Sequence, residues 1–260
     1  MPRRNISEEN VSGTVAACYI VRTHDHPLVA MQRKLNRPHV SINMAMSADG
    51  KVSTYKRETF SLGSAKDRYL MDVLRAKSDA VVIGARTLQL DGWAIRIRYA
   101  EIQKKRIEKG LTPHPLNVVL STDLDLPAKR EFFTHRETGK LIITTRSASA
   151  TRVRRFEKLA EVAVLPRKRI RPQDALDVLS KRGAKRVLVE GGGPLNYAFF
   201  KANLVDEIYI TVTPRILGGT DAPTVADGKG FLLDTHPRLE LVSSRRSGDE
   251  VFLRYRVAKR

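Results

Sequence analysis

From His39 onward the chain alternates between short apolar runs and amphipathic stretches. "HVSINMAMS" places Val40, Ile42, Met44 and Met46 on one face, the period-two pattern of a strand, and "ADGK" breaks it with a turn. "SAKDRYLMDVLRAK" opens with Ser64 and has Asp67 three residues later, an acidic variant of a capping box. Leu70, Val73, Leu74 and Lys77 follow at helical spacing, with Arg75 beside that face. "AVVIGA", "LNVVLS", "KLIITT", "EVAVLP" and "KRVLVE" read as buried strands. "SATRVRRFEKLA" reads as a helix, and so does "RPQDALDVLSKRG", with Pro172 in its first turn and Gly183 as its stop. Pro194 starts another in "PLNYAFFKANL". "DEIYITVTPRI", "RLELVSSRR" and "EVFLRYRV" are strands, the last two joined by a hairpin at "SGD". This order predicts an α/β domain over 38–260: a mostly parallel mixed sheet, helices on both faces and a C-terminal antiparallel hairpin.

Residues 1–37 read as an N-terminal extension, with a β-like run "TVAACYIV" and a basic end. "HDH" at His24–His26 has no third convergent ligand and reads as a solvated turn, so no metal is expected. Cys18 is the only cysteine of the 260 residues, which excludes an intrachain disulfide and a Cys-rich zinc site. No apolar run reaches the ~18 residues of a membrane span, and no secretory signal is evident, so a cytoplasmic protein is expected. The net charge of +19 attracts anions, but it is scattered, and aromatics make up only 6%, so stacking platforms for bases are scarce. A basic soluble surface is the expectation, with a nucleic-acid binder on a decayed enzyme fold as the rival.

Candidate chemistry concentrates where strands hand over to helices. In "VLVEGGGPLN" three glycines separate a strand from a helix, at the edge where open α/β sheets bind ligands. Bare backbone there admits a diphosphate, and first-turn amides bind negative charge. It is not the G-x-G-x-x-G pattern, and a turn needing positive φ accounts for one glycine rather than three. Glu190, at the end of that strand, is either an acceptor for substrate or an anchor for the turn. "SADGKVS" is either a hairpin or a loop that covers a cofactor. Arg75, Thr87, Asp91, Arg96 and Arg98 surround one strand, and arginine suits phosphate because its planar fork binds two oxygens. Beside an apolar face, Arg75 needs an acidic partner or a bound anion.

"SINMAMSADGKVS", "LRAKSDAVVIGARTLQLDGWAIRIR", "NVVLST", "VLVEGGGPLNYAFF" and "LVDEIYITVTPRILGG", in that order and spacing, resemble the riboflavin-pathway reductases of ribosylaminopyrimidine phosphates, over roughly residues 38 to 256. The resemblance implies a dihydrofolate-reductase-like fold, NADPH as cofactor and reduction of a ribosylamino side chain to ribitylamino. It also implies a homodimer. It puts Thr59, Arg75, Ile95, Arg98 and Glu190 toward substrate, with Arg75 and Arg98 clamping the ribose phosphate. Toward the cofactor it puts Ser61, Thr87, Asp91, one of Ser121 and Thr122, and the turn Gly192, Gly193, Pro194 and Leu195, with Arg146 in "TTRSAS" as the candidate for the 2′-phosphate. No catalytic acid or base is assigned. The chain departs from the family in having Gly92-Trp93 where D-P or N-P is usual, and in the long basic stretch "YAEIQKKRIEKGLTPHP". The H-x-E and P-C-x-x-C zinc ligands of the bifunctional members are absent, so another protein is expected to supply the deaminase. A pterin or dihydrofolate-type reductase of the same fold is the alternative.

Overall fold

The computed structural model describes residues 37–258. The "TVAACYIV" run, Cys18 and the His24–His26 turn lie outside the described residues. Among the described residues nine strands form one sheet: β1 (His39–Ser47), β2 (Ala80–Gly84), β3 (Leu116–Leu120), β4 (Lys140–Thr145), β5 (Glu161–Leu165), β6 (Arg186–Val189), β7 (Glu207–Thr213), β8 (Leu239–Ser247) and β9 (Glu250–Val257). Their order is β5-β4-β3-β2-β6-β1-β7-β9-β8. The first seven run parallel, and β9 and β8 close the edge antiparallel. Both faces of the parallel part are covered, which is why those strands read as continuous apolar runs. Val82, Val118, Leu141 and Val187 face one core with Leu176 and Phe199. Val81, Val119, Ile142 and Leu188 face the other with Leu74, Leu88 and Phe156.

Seven helices connect the strands: α1 (Ala65–Ala76), α2 (Ala85–Leu90), α3 (Ala100–Ile107), α4 (Glu131–Thr134), α5 (Ala150–Glu157), α6 (Pro172–Ser180) and α7 (Gly193–Lys201). The short α2 and α4, and α3 inside the basic stretch, carry no strong apolar period, so the hydrophobic pattern does not announce them. The capping box expected at α1 is half formed. Ser64 Oγ accepts from the Lys66 and Asp67 amides. The return bond comes from Glu250 on β9, which accepts from Ser64 N at 2.7 Å and from Ser64 Oγ at 2.6 Å. A distant strand thus pins the start of α1. Strand β8 is exposed along nearly its whole length.

The parallel strands bring their carboxyl ends to one edge. Since β6 inserts between β2 and β1, the chain leaves neighbouring strands in different directions there, and a crevice results.

Candidate functional site

The glycine turn forms the floor of this edge, and its three residues answer different demands. Gly191 has φ +86°, the left-handed region that favours glycine, and a Cβ there would stand 3.1 Å from Met44 Sδ. At Gly193 a Cβ would collide with the Asp227 carboxylate and come within 2.6 Å of the Thr224 carbonyl oxygen. Gly192 has φ −72°, and its nearest neighbour would be Thr87 Oγ1 at 3.6 Å, an ordinary contact. Protein packing therefore demands glycine at Gly191 and Gly193 and leaves Gly192 bare toward the crevice. The Gly191–Gly192 peptide is cis. The turn is seated on β2 through the Gly84 amide, which donates to Gly191 O at 3.1 Å.

Gly192 then caps α7. Its carbonyl accepts from Leu195 N at 2.9 Å and Asn196 N at 3.1 Å, and Pro194 has no amide to leave unmet. Among the described residues the Gly192 and Gly193 amides donate to nothing. Two open amides at the positive end of a helix, beside the Thr87 hydroxyl, make a donor set suited to a diphosphate.

Arg75, expected with Arg98 at the ribose phosphate, is held by protein groups in this structure. Its Nε and Nη2 meet Glu190 Oε1 and Oε2 at 2.7 and 2.6 Å, and Nη1 donates to Arg96 O at 2.8 Å. All three nitrogens are engaged with protein, and both side chains are only 10% exposed. Burial opposes the Arg75 charge, but Glu190 overcomes this and holds its pKa above the usual guanidinium value. Glu190 thus ties Arg75 to the segment leading into the turn. Arg98 differs: it pairs with the fully buried Asp72 through Nε and Nη2, its Nη2 also donates to Arg68 O at 2.9 Å, and its Nη1 takes no part in these bonds. Asp72 was not among the residues the sequence singled out. Its signal was there, an acid three positions before a buried arginine on one helix face.

Ile95, expected toward substrate, is buried. Its side chain belongs to the second core, and its backbone is clasped by Asn117, which accepts from Ile95 N and donates to Ile95 O, both at 2.8 Å. Farther along, His114 Nδ1 accepts from Ile97 N at 3.1 Å. Burial, then the neighbouring His135, lowers the His114 pKa, which keeps that nitrogen free to accept. Segment 92–98 is therefore a fixed strap that carries Arg98.

Thr59 Oγ1 donates to Asp91 Oδ1 at 3.2 Å, which brings a substrate-side and a cofactor-side expectation together. The Asp91 residue is exposed, yet the protein around its carboxyl desolvates it enough to raise its pKa, and the Thr59 bond opposes the shift. Ser61 accepts from Arg68 Nη1 and donates to Gly63 O. Ser121 is buried with its hydroxyl accepting from Leu124 N, while Thr122 beside it is exposed. Arg146 is exposed at the end of β4, and its guanidinium has no partner among the described residues. It lies three strand spacings from β6, about 14 Å, so it meets only the far part of an extended molecule seated on the glycine turn.

The "SADGKVS" segment turns back on itself, with Ser47 N donating to Lys51 O at 2.8 Å and Gly50 N to Ser47 O at 2.9 Å. Asp49 accepts from Ser47 Oγ at 2.6 Å, Leu217 N at 3.1 Å and Gly218 N at 2.7 Å, and these donors lower its pKa to about 2. Val52 N donates to Pro223 O. The loop is thereby tied to residues 217–224 on the far side of β1.

Among the described residues no helix is long and apolar enough to cross a membrane. A relative from Archaeoglobus fulgidus, named 2,5-diamino-6-ribosylamino-4(3H)-pyrimidinone 5′-phosphate reductase, is 38% identical over 75% of this chain and 89% of its own length. A protein of the same name from Methanothermobacter thermautotrophicus is 30% identical over 85% of this chain and 99% of its own. Among solved structures, a pyrimidine reductase-like protein from Corynebacterium diphtheriae superposes with a TM-score of 0.75 at 25% identity, covering 87% of this chain and 94% of that one. Residues 38–253 match the RibD C-terminal domain. The chain belongs to that family, and its fold is the dihydrofolate-reductase-like one that the resemblance implied.

Proposed function

We propose that this protein is the NADPH-dependent reductase that converts the ribosylamino side chain of 2,5-diamino-6-ribosylamino-4(3H)-pyrimidinone 5′-phosphate to ribitylamino. The observation that carries the reading is the glycine turn, with two open amides and a bare Gly192 facing Thr87 at the sheet's carboxyl edge. The family membership and the name borne by relatives at 30% identity and above support the phosphorylated pyrimidine over a pterin. They also favour the diamino form over the deaminated one.

The ribosylamine opens to an imine, which makes C1′ electrophilic. A nicotinamide held at this edge would supply a hydride to that carbon, with the proton for the nitrogen coming from solvent. The chain's own part is to bind, orient and exclude. Gly192 and Gly193 would hold the diphosphate, with Pro194 and Leu195 shaping the helix start and Thr87 beside it. Thr122 and Arg146 would meet the adenosine end, Arg146 setting the preference for the 2′-phosphate. Asp91 with Thr59 would wall the crevice near Ser61. Arg98 would reach the substrate's phosphate through its open Nη1, with Arg75 and Glu190 keeping the glycine turn in place from behind.

The working unit is proposed to be a cytoplasmic homodimer, for which the long exposed edge of β8 leaves room. A deaminase on another protein then acts on the product. The test is a side-by-side assay with NADPH and each of the two pyrimidine phosphates, followed at the reduced-nicotinamide band. Substrate-dependent loss of absorbance with the diamino compound is expected; no loss with either compound overturns the reading.

A further inference from the structure

Arg98 is held from three sides, and the residue that holds it is Asp72. Asp72 Oδ2 accepts from the Arg98 backbone amide at 2.6 Å, and Oδ1 accepts from Nη2 at 2.8 Å. Nε lies 3.2–3.3 Å from both carboxylate oxygens. A guanidinium offers two forked edges, and Asp72 takes the one made by Nε and Nη2. The second hydrogen of Nη2 goes to Arg68 O. What remains is Nη1 alone, on a side chain that is 35% exposed, whereas Asp72 is 0% exposed. The same carboxylate stands 3.6 Å from Arg75 Nη1. Four charges thus lie together, two arginines against Asp72 and Glu190, and they cancel. With both arginines of this group paired, recognition here depends on where Nη1 points.

We propose that Asp72 is a positioning residue for phosphate recognition: it fixes Arg98 so that Nη1 is the donor offered to the substrate's 5′-phosphate. This rests on the reading of the chain as a pyrimidine phosphate reductase. Asp72 touches neither substrate nor cofactor and acts through Arg98. An asparagine at position 72 keeps the size but sets its NH2 against either Nη2 or the Arg98 backbone amide, so a donor faces a donor and the hold on the guanidinium is lost.

The test compares kcat/KM for the 5′-phosphorylated pyrimidine with that for the same compound stripped of its phosphate. The ratio of the two isolates phosphate recognition, and a merely structural defect lowers both values together. The wild-type protein is expected to favour the phosphorylated compound, and Asp72→Asn to lower the ratio at least tenfold. Arg98→Lys keeps the charge but cannot make the two-point contact with Asp72, and it is expected to lower the ratio similarly. In an Arg98→Ala background Asp72→Asn should add no further fall in the ratio. Should Asp72→Asn not fold, Arg98→Lys at its partly exposed site decides. A folded Asp72→Asn, or an Arg98→Lys, that keeps the wild-type ratio overturns the proposal. A wild-type protein that reduces neither compound, or does not distinguish them, instead sinks the underlying reading.

Discussion

The two ends of the sheet use the same kinds of residue to opposite effect. At the amino end, Asp79, Asp206 and Arg106 find their partners within the protein. Asp79 Oδ2 accepts from the Lys185 and Arg186 amides at 2.7 and 2.8 Å. Asp206 takes two 2.7 Å bonds from Arg37 and a third from Val40 N. The buried Arg106 donates to the carbonyls of Ala76, Ser78 and Thr112. At the carboxyl end, among the described residues, the Gly192 and Gly193 amides donate to nothing, the Arg146 guanidinium has no partner, and Arg98 keeps Nη1 open. Strand continuity makes the first end close and frees the second, because helices begin there and leave their first amides unmet. Unmatched donors gathered at the edge where helices begin mark where charge from outside belongs.

That contrast breaks most visibly where the open edge is braced from behind. Glu190→Ala leaves Arg75 buried without its carboxylate, and a loss of about 3–5 kcal/mol is expected by denaturant unfolding; a loss under about 1 kcal/mol would mean the pair is no brace. Next comes Gly193→Ala, whose Cβ must push back the Thr224 carbonyl. It should cost up to about 3 kcal/mol and weaken NADPH binding in calorimetry, while unchanged stability and affinity would show that the close approach is not needed.

At the closed end, Arg37→Ala should cost about 2 kcal/mol near neutral pH and leave KM for both substrates untouched. Burial would raise the Asp206 pKa, but the bonds from Arg37 and Val40 N reverse this and lower it. Such a carboxylate contributes stability above its unfolded value of about 3.9 and loses it as pH falls through the lower folded value. Urea unfolding across acid pH should therefore show the gap between wild type and variant closing below about pH 4; a gap that persists there contradicts the assignment. Arg146→Ala is the mildest. It should move NADPH affinity about tenfold, roughly 1.4 kcal/mol, with no change for NADH and stability within about 0.5 kcal/mol.

The strands were legible because a parallel sheet covered on both faces writes itself as apolar runs, and "AVVIG" and "RVLV" need no further context. The glycine turn was legible because it breaks such a run. What escaped was set by tertiary partners. Glu250 completes the cap of α1 from the other end of the chain, and Asp72 and Glu190 engage the two arginines by geometry that spacing does not fix. Ser121 and Thr122 are neighbours with opposite exposure, decided by which one faces the Leu124 turn. Ile95 sits in a motif that faces a ligand edge, but its own side chain points into the core.

The most direct test of the central claim is a crystal structure of the protein with NADP(H) bound at saturating concentration. The diphosphate is expected at the start of α7, within hydrogen-bond distance of the Gly192 and Gly193 amides. A dinucleotide bound elsewhere, or that corner left empty under conditions where calorimetry detects binding, would contradict it.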